Sequence, residues 1–272
     1  MNKHHKISEQ ALEISSIAIK AVLYEASAAP KPGLVTPVSN GAHSDMDFFK
    51  FIDSACALIP FFCLFAQTGF DYSDPKDIFE RNRQIGICAE KAMFEATEGI
   101  NTHKGMIFLM ALACGAVAKI INEGLSIEDA PKIISAMTYD IVEKDFKDLD
   151  KKENLSNGEK LYLKYRLKGV RGEAAAGLPA VFKHGLPFYN KYGDLTNTLL
   201  HIISVCEDTT IVHRHSIEMM HYVRQRSLEV LRGDDHIKAI ENEFIQKNIS
   251  PGGSADLLAL TVFFSEIGLL LS

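Results

Sequence analysis

Residues 74–124 read DPKDIFERNRQIGICAEKAMFEATEGINTHKGMIFLMALACGAVAKIINEG, and this stretch decides the fold class. Asp74 is an N-cap residue followed by a proline at the first helical position, which predicts a helix running to Gly99. Another helix is predicted to follow the Asn-Thr pair at 101–102 and to stop near Gly124. Two long helices joined by a tight polar turn are therefore expected here.

Similar start and stop signals recur along the rest of the chain. Ser8 is positioned to cap a first helix that ends at Pro30. Ser44 with Asp47 resembles a capping box that opens a Phe-rich helix, in which Pro60 predicts a kink. Further helices are predicted from Ser126, over residues 195–206, 216–231 and 236–247, and from Ser254.

Strand signals are missing from the sequence. No run of four to eight residues alternates apolar and polar in a strand pattern. The charged segment 145–160 is predicted to be an exposed loop. We therefore predict an all-α fold, a single multi-helix domain over residues 1–272 with an active-site cleft lined by interhelical loops.

Charge and composition limit the classes of partner. The chain has 272 residues, a formal net charge of -6 and 47% hydrophobic residues, as expected for a globular protein. Without a long basic stripe, nucleic-acid binding through charge is not expected. An acidic protein that binds polyphosphates must concentrate its few cations locally or recruit a divalent metal.

Cysteine usage and hydropathy predict a cytoplasmic protein that does not bind membranes. The five cysteines have no C-x-x-C spacing and lie among apolar neighbours, which predicts reduced core cysteines. The first ten residues are polar and lack the apolar region of a signal peptide. The apolar stretches 48–65 and 257–271 contain charged residues, so both are predicted to be buried helices.

The first polar loop, residues 30–35, reads Pro-Lys-Pro-Gly-Leu-Val, and Glu25 precedes it. Its prolines stiffen the loop, and its glycine at position 33 allows close backbone approach. The stretch 40–47 follows, where Asp45 and Asp47 are expected in the first turn of a helix. Two carboxylates there suit Mg2+, or else they only complement the helix dipole.

Two further polar segments offer cations. Residues 99–105 read Gly-Ile-Asn-Thr-His-Lys-Gly and start a helix whose backbone N–H groups, with Thr102 and Lys104, suit an anion. The alternative is a simple link with a Thr cap and a solvated lysine. Arg171 suits phosphate because its guanidinium offers two parallel hydrogen bonds, although Arg171 and Glu173 are equally compatible with a surface position.

The last two segments precede helices near the C-terminus. In residues 207–215, His213 and His215 invite a zinc hypothesis, but no ligand set with tight spacing follows, so zinc is not predicted. Residues 250–256 read Ser-Pro-Gly-Gly-Ser-Ala-Asp, a glycine turn that feeds a helix N-terminus and suits phosphate. The alternative is that Ser254 is an ordinary N-cap.

Taken in order, these segments resemble the triphosphoribosyl-dephospho-coenzyme A synthase family. The resemblance rests on Glu25, residues 30–35, 41–46, 99–105, 171–174, 208–209, Arg214 and 250–256, and it extends from about residue 12 to the end. The chain departs from the family pattern at Thr210, where the family has asparagine, and at residues 215–216, where it has glycines.

The resemblance implies a reaction in which ATP and 3′-dephospho-coenzyme A yield 2′-(5″-triphosphoribosyl)-3′-dephospho-coenzyme A and free adenine. The product would be the prosthetic-group precursor of the acyl carrier subunit of citrate lyase or malonate decarboxylase, to be used by a holo-transferase. Mg2+ is the expected cofactor, and a homodimer is an open alternative for the assembly. Two other functions stay open: a helical Mg2+-dependent hydrolase of a ribosyl bond, and a non-catalytic nucleotide-binding partner of a carrier-protein system.

Glycosyl transfer through an oxocarbenium-like transition state needs a carboxylate near the ribose and a proton or hydrogen bond for the departing adenine. For these catalytic roles the candidates are Asp45, Asp47, Glu173, Asp208, His43 and His103, with Asp45 and Asp47 also as metal ligands. The substrate-binding candidates are Glu25, Lys31, Pro32, Gly33, Glu90, Asn101, Thr102, Lys104, Gly105, Arg171, Thr209, Arg214, Gly252, Gly253, Ser254 and Asp256.

Overall fold

A computed structural model describes residues 7–272. Its helices are α1 (Glu9–Ser27), α2 (Phe48–Asp71), α3 (Pro75–Ala96), α4 (Lys104–Glu123), α5 (Ala130–Thr138), α6 (Ile141–Asp145), α7 (Asn157–Tyr165), α8 (Gly169–Ala175), α9 (Leu186–Tyr192), α10 (Leu195–Ile203), α11 (Thr209–Arg214), α12 (Ile217–Arg232), α13 (Ile237–Gln246) and α14 (Gly252–Leu271). Within this described part no strand forms, so the predicted all-α fold is confirmed. The domain boundaries at 1 and 272 stay a prediction.

The core is built around α4, which is buried along most of its length. Its sequence is apolar on every side, and this is typical of a helix enclosed by other helices. Helices α2 and α3 pack against it, while α1 and α14 pack against each other and also contact α4. The polar loops at the ends of these helices are thereby held close together.

Local signals predicted the central helices well. Asp74 accepts a hydrogen bond from the backbone N–H of Lys76 and caps α3, and α4 ends at Gly124 in the left-handed conformation. The predicted start of α2 at Ser44 was wrong. The helix is capped by Asp47, whose side chain accepts a hydrogen bond from the backbone N–H of Lys50. Asp45 and Asp47 therefore precede the helix and do not lie in its first turn.

The segment 145–160 is not one exposed loop. A 3-10 turn (Leu149–Lys151) and the start of α7 lie in it, and several side chains there face inward. The short helices α6, α8, α9 and α11 and a π-helix (Ala180–Gly185) were also missed. The predicted start of the last helix at Ser254 was wrong as well, because α14 begins at Gly252 and Ser254 lies in its first turn.

Three helices, α2, α4 and α14, are long and apolar enough to cross a membrane by length and composition alone. Most of α4 and α14 is buried among the other helices, whereas α2 buries one face and leaves Phe49, Ile59 and Leu64 exposed. The expectation that the chain does not bind membranes stays a prediction.

The cysteine prediction holds only in part. Cys63, Cys114 and Cys206 are buried, as expected for core cysteines, but Cys56 and Cys88 are exposed. Both exposed residues lie on the outer faces of α2 and α3, where neighbouring alanines and isoleucines in the sequence resembled a core segment.

Candidate functional site

Residues from all five polar segments line one cavity of about 1360 Å³. The predicted site residues that line it are Glu25, Lys31, His43, Asp45, Glu90, Asn101, Thr102, His103, Lys104, Gly105, Arg171, Glu173, Thr209, Arg214, Gly252, Gly253 and Asp256. Those that do not line it are Pro32, Gly33, Asp47, Asp208 and Ser254.

The first polar segment contributes a buried ion pair to the cavity. It is formed by Glu25 and Lys31 and is here called the inner pair. The Nζ of Lys31 donates to Glu25 Oε1 at 2.6 Å and to the Glu25 carbonyl at 2.7 Å, and the two side chains are only 3% and 2% exposed. Gly33 makes the loop possible, because its φ is +73° and a Cβ there would lie 2.0 Å from the carbonyl oxygen of Ile249. The charge of Lys31 is thus already matched by Glu25.

His103, at the start of α4, is a buried polar group of the site. Its Nδ1 lies 2.6 Å from the hydroxyl of the buried Ser54, while Nε2 is buried with no partner among residues 7–272. Burial, and then the nearby Lys31, lower the pKa of His103 to about 3, so the ring is neutral.

The direction of the hydrogen bond between the Ser54 hydroxyl and His103 is linked to which ring nitrogen carries the proton. Within the described residues, Nδ1 of His103 is the hydrogen-bond partner of that hydroxyl. If the hydroxyl donates its hydrogen there, Nδ1 accepts and the ring proton lies on Nε2. A buried N–H without an acceptor costs roughly 1–3 kcal/mol, so this donor is suited to a ligand. The hydroxyl of Thr102 is likewise buried and unpartnered.

Next to His103 in sequence, Lys104 points away from the core and pairs with Glu90 on α3; these two form the outer pair. Their side chains are 51% and 34% exposed, in contrast to the inner pair. Asn101 accepts a hydrogen bond from the backbone N–H of Lys104 and so closes the turn. Lys104 is therefore accessible to an anion that enters the cavity.

Asp256, at the start of the second turn of α14, lies against the start of α4. A Cβ at position 105 would lie 2.0 Å from Asp256 Oδ2, which explains why glycine is needed there. Burial, with the charge of Glu25 as the next cause, raises the pKa of Asp256 well above its usual range. Asp256 and Glu25 thus place two interacting carboxyl groups at one end of the cavity.

His43 is held by a chain of polar contacts. Because a guanidinium only donates, His43 Nδ1 accepts from Nη2 of Arg214 at 3.1 Å, and its Nε2–H then donates to the hydroxyl of Ser250 at 2.9 Å. Burial and Arg214 lower the pKa of His43. Both ring nitrogens are engaged, so His43 fits a positioning role better than that of a proton donor.

Asp208 and Ser254 form a buried link between helices. The carboxylate of Asp208 accepts from the backbone N–H and the hydroxyl of Ser254 at 2.8 and 2.9 Å, and from the N–H of Thr210 at 3.0 Å. Burial raises the pKa of Asp208. Because its oxygens bind these donors and it does not line the cavity, its geometry suits holding α11 and α14 in place.

Arg171 and Glu173 lie on the short helix α8 and face different groups. Arg171 Nε donates to Asp145 Oδ2 at 2.7 Å. Glu173 Oε1 accepts from the backbone N–H of Ala180 at 2.6 Å. Burial, opposed by that hydrogen bond, raises the pKa of Glu173, and the charge of Glu207 adds to the increase. Glu173 therefore combines access to the cavity with the raised pKa that suits a general base.

The two predicted metal ligands do not make a resident Mg2+ site by themselves. Mg2+ requires a near-octahedral set of oxygen ligands. Asp47 caps α2, and the side chain of Asp45 is 56% exposed and lies 3.7 Å from His43 Nδ1. Among residues 7–272, no group of three or more His, Cys, Asp or Glu side chains is arranged to hold a metal ion.

Comparison with known proteins now decides the family. The family model for CitG, ATP:dephospho-CoA triphosphoribosyl transferase, matches residues 11–271. The chain belongs to this transferase family.

Curated relatives support the assignment. A probable 2-(5''-triphosphoribosyl)-3'-dephosphocoenzyme-A synthase of Streptococcus equi subsp. equi is 41% identical, covering 93% of this chain and 96% of the relative. Proteins of the same printed name from Streptococcus mutans and Streptococcus pyogenes serotype M49 are 36% and 38% identical, covering 94% and 95% of this chain and 97% of each relative. No solved structure gives a significant match to the chain.

The positions where this transferase departs from the expected family pattern have clear local roles. Thr210 lies beside the glycine turn, with its hydroxyl 3.4 Å from where a Cβ on Gly252 would be. His215 Nε2 donates to the carbonyl of Asn248 at 3.0 Å. The neighbouring Arg214 donates from Nη1 to the carbonyl of Ala42 at 3.1 Å.

Sequence reasoning missed one whole side of the transferase cavity. The missed polar residues that line it include Arg83, Lys144, Asp145, Lys152, Ser156, Asn157, Glu159 and Lys168. Most of them fall in or near the segment predicted to be an exposed loop, where charged residues are expected to be solvated. No local pattern marks them as facing inward.

Proposed function

We propose that this transferase moves the 5-triphosphoribosyl group of ATP to the 2′-hydroxyl of 3′-dephospho-coenzyme A and releases adenine. The observation that carries the proposal is the convergence of all five polar segments, far apart in sequence, on one cavity in a member of this family. The cavity volume of about 1360 Å³ exceeds the roughly 300–1,000 Å³ of a pocket for one drug-sized ligand, which suits two nucleotide substrates.

Glu173 is the group best placed to act as general base in this proposal. It would accept the proton of the attacking 2′-hydroxyl, and its negative charge would also favour positive charge developing on the ribose. Asp208 competes poorly because its oxygens are occupied by Ser254 and Thr210. Glu173→Gln should abolish adenine release while leaving ATP binding intact, which equilibrium binding and a turnover assay would separate.

His103 would assist the departure of adenine as a hydrogen-bond donor. Its pKa of about 3 means that almost no protonated ring exists at neutral pH, so a role as general acid is disfavoured. The unpartnered Nε2 is suited to donate a hydrogen bond to a purine ring nitrogen as negative charge develops there.

Mg2+ is proposed to enter with ATP, bound to the triphosphate, because residues 7–272 provide no ready ligand set around Asp45 and Asp47. Lys104 is the accessible cation expected to contact the phosphates, whereas the charge of Lys31 is matched by Glu25. Removal of Mg2+ by excess chelator should stop turnover, since the neighbouring carboxylates would repel an uncomplexed triphosphate.

The test is an incubation of the protein with ATP, Mg2+ and dephospho-coenzyme A, followed by mass spectrometry of the products. We expect the triphosphoribosyl adduct and an equimolar amount of adenine. Adenine release that needs no dephospho-coenzyme A would instead favour a ribosyl hydrolase. ATP binding without any turnover would favour a nucleotide-binding partner of a carrier-protein system.

The downstream step is also a proposal. The product would serve as the prosthetic-group precursor for an acyl carrier subunit, of citrate lyase or of malonate decarboxylase, through a holo-transferase. Incubating the purified product with each carrier protein and its holo-transferase, and measuring the mass of the carrier, would identify the client.

A further inference from the structure

The charges that line the cavity are unevenly distributed between its two ends. The basic end is defined by five cations and two carboxylates: Arg83, Lys144, Lys152, Lys168, Arg171, Asp145 and Glu159. The acidic end is defined by six carboxyl groups and three cations: Glu25, Asp45, Glu90, Glu173, Glu207, Asp256, Lys31, Lys104 and Arg214. In a protein with a net charge of -6, a wall with excess positive charge is a local exception.

Helix α3 gives the scale of this separation. Arg83 contacts Asp145 of the basic end and Glu90 contacts Lys104 of the acidic end, and their separation of seven positions corresponds to about 10 Å along the helix. On helix α8, Arg171 contacts Asp145 of the basic end, whereas Glu173 interacts with the charge of Glu207 at the acidic end. The two ends are thus distinct regions of one cavity.

Asp145 holds the two arginines of the basic end in place. Its side chain is 8% exposed, and its two oxygens bind Arg83 Nη1 at 2.8 Å and Arg171 Nε at 2.7 Å. The Arg171 guanidinium also lies 5.3 Å from the ring of Phe146, which stacks on Tyr162. Among residues 7–272, the Nη groups of Arg171 have no hydrogen-bond partner, so the guanidinium is oriented but still has donors to offer.

The lysines complete this wall. Lys152 pairs with Glu159 at 2.7 Å, and Lys144 pairs with Asp140 at 2.7 Å. Lys168 makes no ion pair within the described residues. One carboxylate shared by two arginines, together with a free lysine, leaves net positive charge facing the cavity.

We propose that the basic end is a binding site for the phosphate chain of a nucleotide substrate. This inference deepens the proposed function and rests on it for the identity of the nucleotides. The carboxyl groups of the acidic end favour positive charge on the reacting ribose, and they repel a phosphate chain that is not neutralised by Lys104 and Mg2+. Arginine and lysine side chains at the basic end bind phosphate oxygens through charge-assisted hydrogen bonds.

The test uses inorganic pyrophosphate as the probe, because its binding does not depend on any reaction. The variant is Lys152→Ala combined with Lys168→Ala. Its control is Lys160→Ala combined with Lys164→Ala, which removes the same charge from exposed positions of α7 outside the cavity. Calorimetry should give a Kd for pyrophosphate about tenfold or more higher in the variant, as expected for lost phosphate contacts, and less than about twofold higher in the control.

The same titrations with ATP and with dephospho-coenzyme A identify the source of the phosphate chain. A Kd that rises for only one nucleotide assigns the basic end to that substrate, and a rise for both assigns it to both phosphate chains. Unchanged affinity for pyrophosphate in the variant would overturn the proposal. The single change Lys168→Gln, at an exposed side chain, repeats the test if the double variant has a lowered melting temperature.

The two proposals fail in different ways. If pyrophosphate binding is lost in the variant but the wild-type protein forms no triphosphoribosyl product, the phosphate site at the basic end is supported and the proposed reaction is wrong. If the product forms normally and pyrophosphate binding is insensitive to both lysines, the reaction stands and the phosphate site is wrong.

Discussion

The inner pair, Glu25 and Lys31, and the outer pair, Glu90 and Lys104, join the same two kinds of side chain on either side of the start of α4. They differ in solvent access: the inner side chains are 3% and 2% exposed, the outer ones 34% and 51%. In the interior, removing one partner leaves an unpaired charge in a low dielectric, whereas water screens the same loss at the surface. Both pairs line the cavity, yet we expect the inner one to govern folding and the outer one to govern ligand binding.

The largest effect is expected from Lys31→Met. This change leaves the Glu25 carboxylate buried beside Asp256 without its cation. The free energy of unfolding should fall by about 3–5 kcal/mol, as measured by chemical denaturation. Adding Glu25→Leu should restore much of this stability, because the unpaired charge is then removed. If Lys31→Met alone were as stable as wild type, the inner pair would not be important for folding.

Lys104→Ala should reduce activity without unfolding the protein. Loss of a charge-assisted contact to phosphate costs about 1.5–3 kcal/mol, which is roughly a ten- to hundredfold decrease in adenine release if the contact exists in the transition state. The melting temperature should stay close to that of wild type, since the outer pair is half exposed. Lys91→Ala, on the outer side of α3, is the matched control. Wild-type turnover in Lys104→Ala would identify Lys104 as a solvated surface residue.

His103, which lies close enough to Lys31 of the inner pair to feel its charge, should make the stability of the protein depend on pH. Its pKa falls from 6.5 to about 3 on folding, so between these values the unfolded chain binds one more proton. The unfolding free energy therefore decreases as the pH falls through this window, by up to about 1.4 kcal/mol per pH unit. From pH 6.5 to pH 5 this amounts to roughly 1.6 kcal/mol.

Denaturation curves at several pH values would test this dependence. The variant His103→Gln should show a clearly weaker dependence, with the remainder due to the lowered pKa values of His43 and His201. The same change at the exposed His221 should leave the dependence as in wild type. If the unfolding free energy changed with pH equally steeply in His103→Gln and in wild type, His103 would be protonated in the folded protein.

Several features that depend only on neighbouring residues were predicted correctly from the sequence. Asp74 and Gly124 were correctly predicted because an N-cap and a left-handed C-cap depend on a few neighbouring residues. The motifs 99–105 and 250–256 identified cavity residues through their resemblance to a family. In both cases the information was contained within a short stretch.

Features that depend on distant residues were missed. Ser254 was predicted as a possible N-cap, but its hydroxyl binds Asp208, 46 residues away. Asp145 looked like a residue of a solvated loop, and only the arrival of Arg83 and Arg171 from α3 and α8 buries it. The burial of Glu25 with Lys31 likewise depends on the loop after α1 packing against Ile249. A charged side chain gives no local sign of such partners.

The smallest effect is expected from Glu90→Gln, which breaks the outer pair and leaves Lys104 unneutralised. An exposed ion pair contributes about 0–1 kcal/mol, so the unfolding free energy should change by less than about 1 kcal/mol. If Glu90 only neutralises Lys104, the freed lysine attracts phosphate more strongly, and the KM for ATP should fall by up to about fivefold. Steady-state kinetics over a range of ATP concentrations would measure this. A rise in KM would instead mean that Glu90 itself contacts the substrate, and a large loss of stability would mean that the outer pair behaves like the inner one despite its exposure.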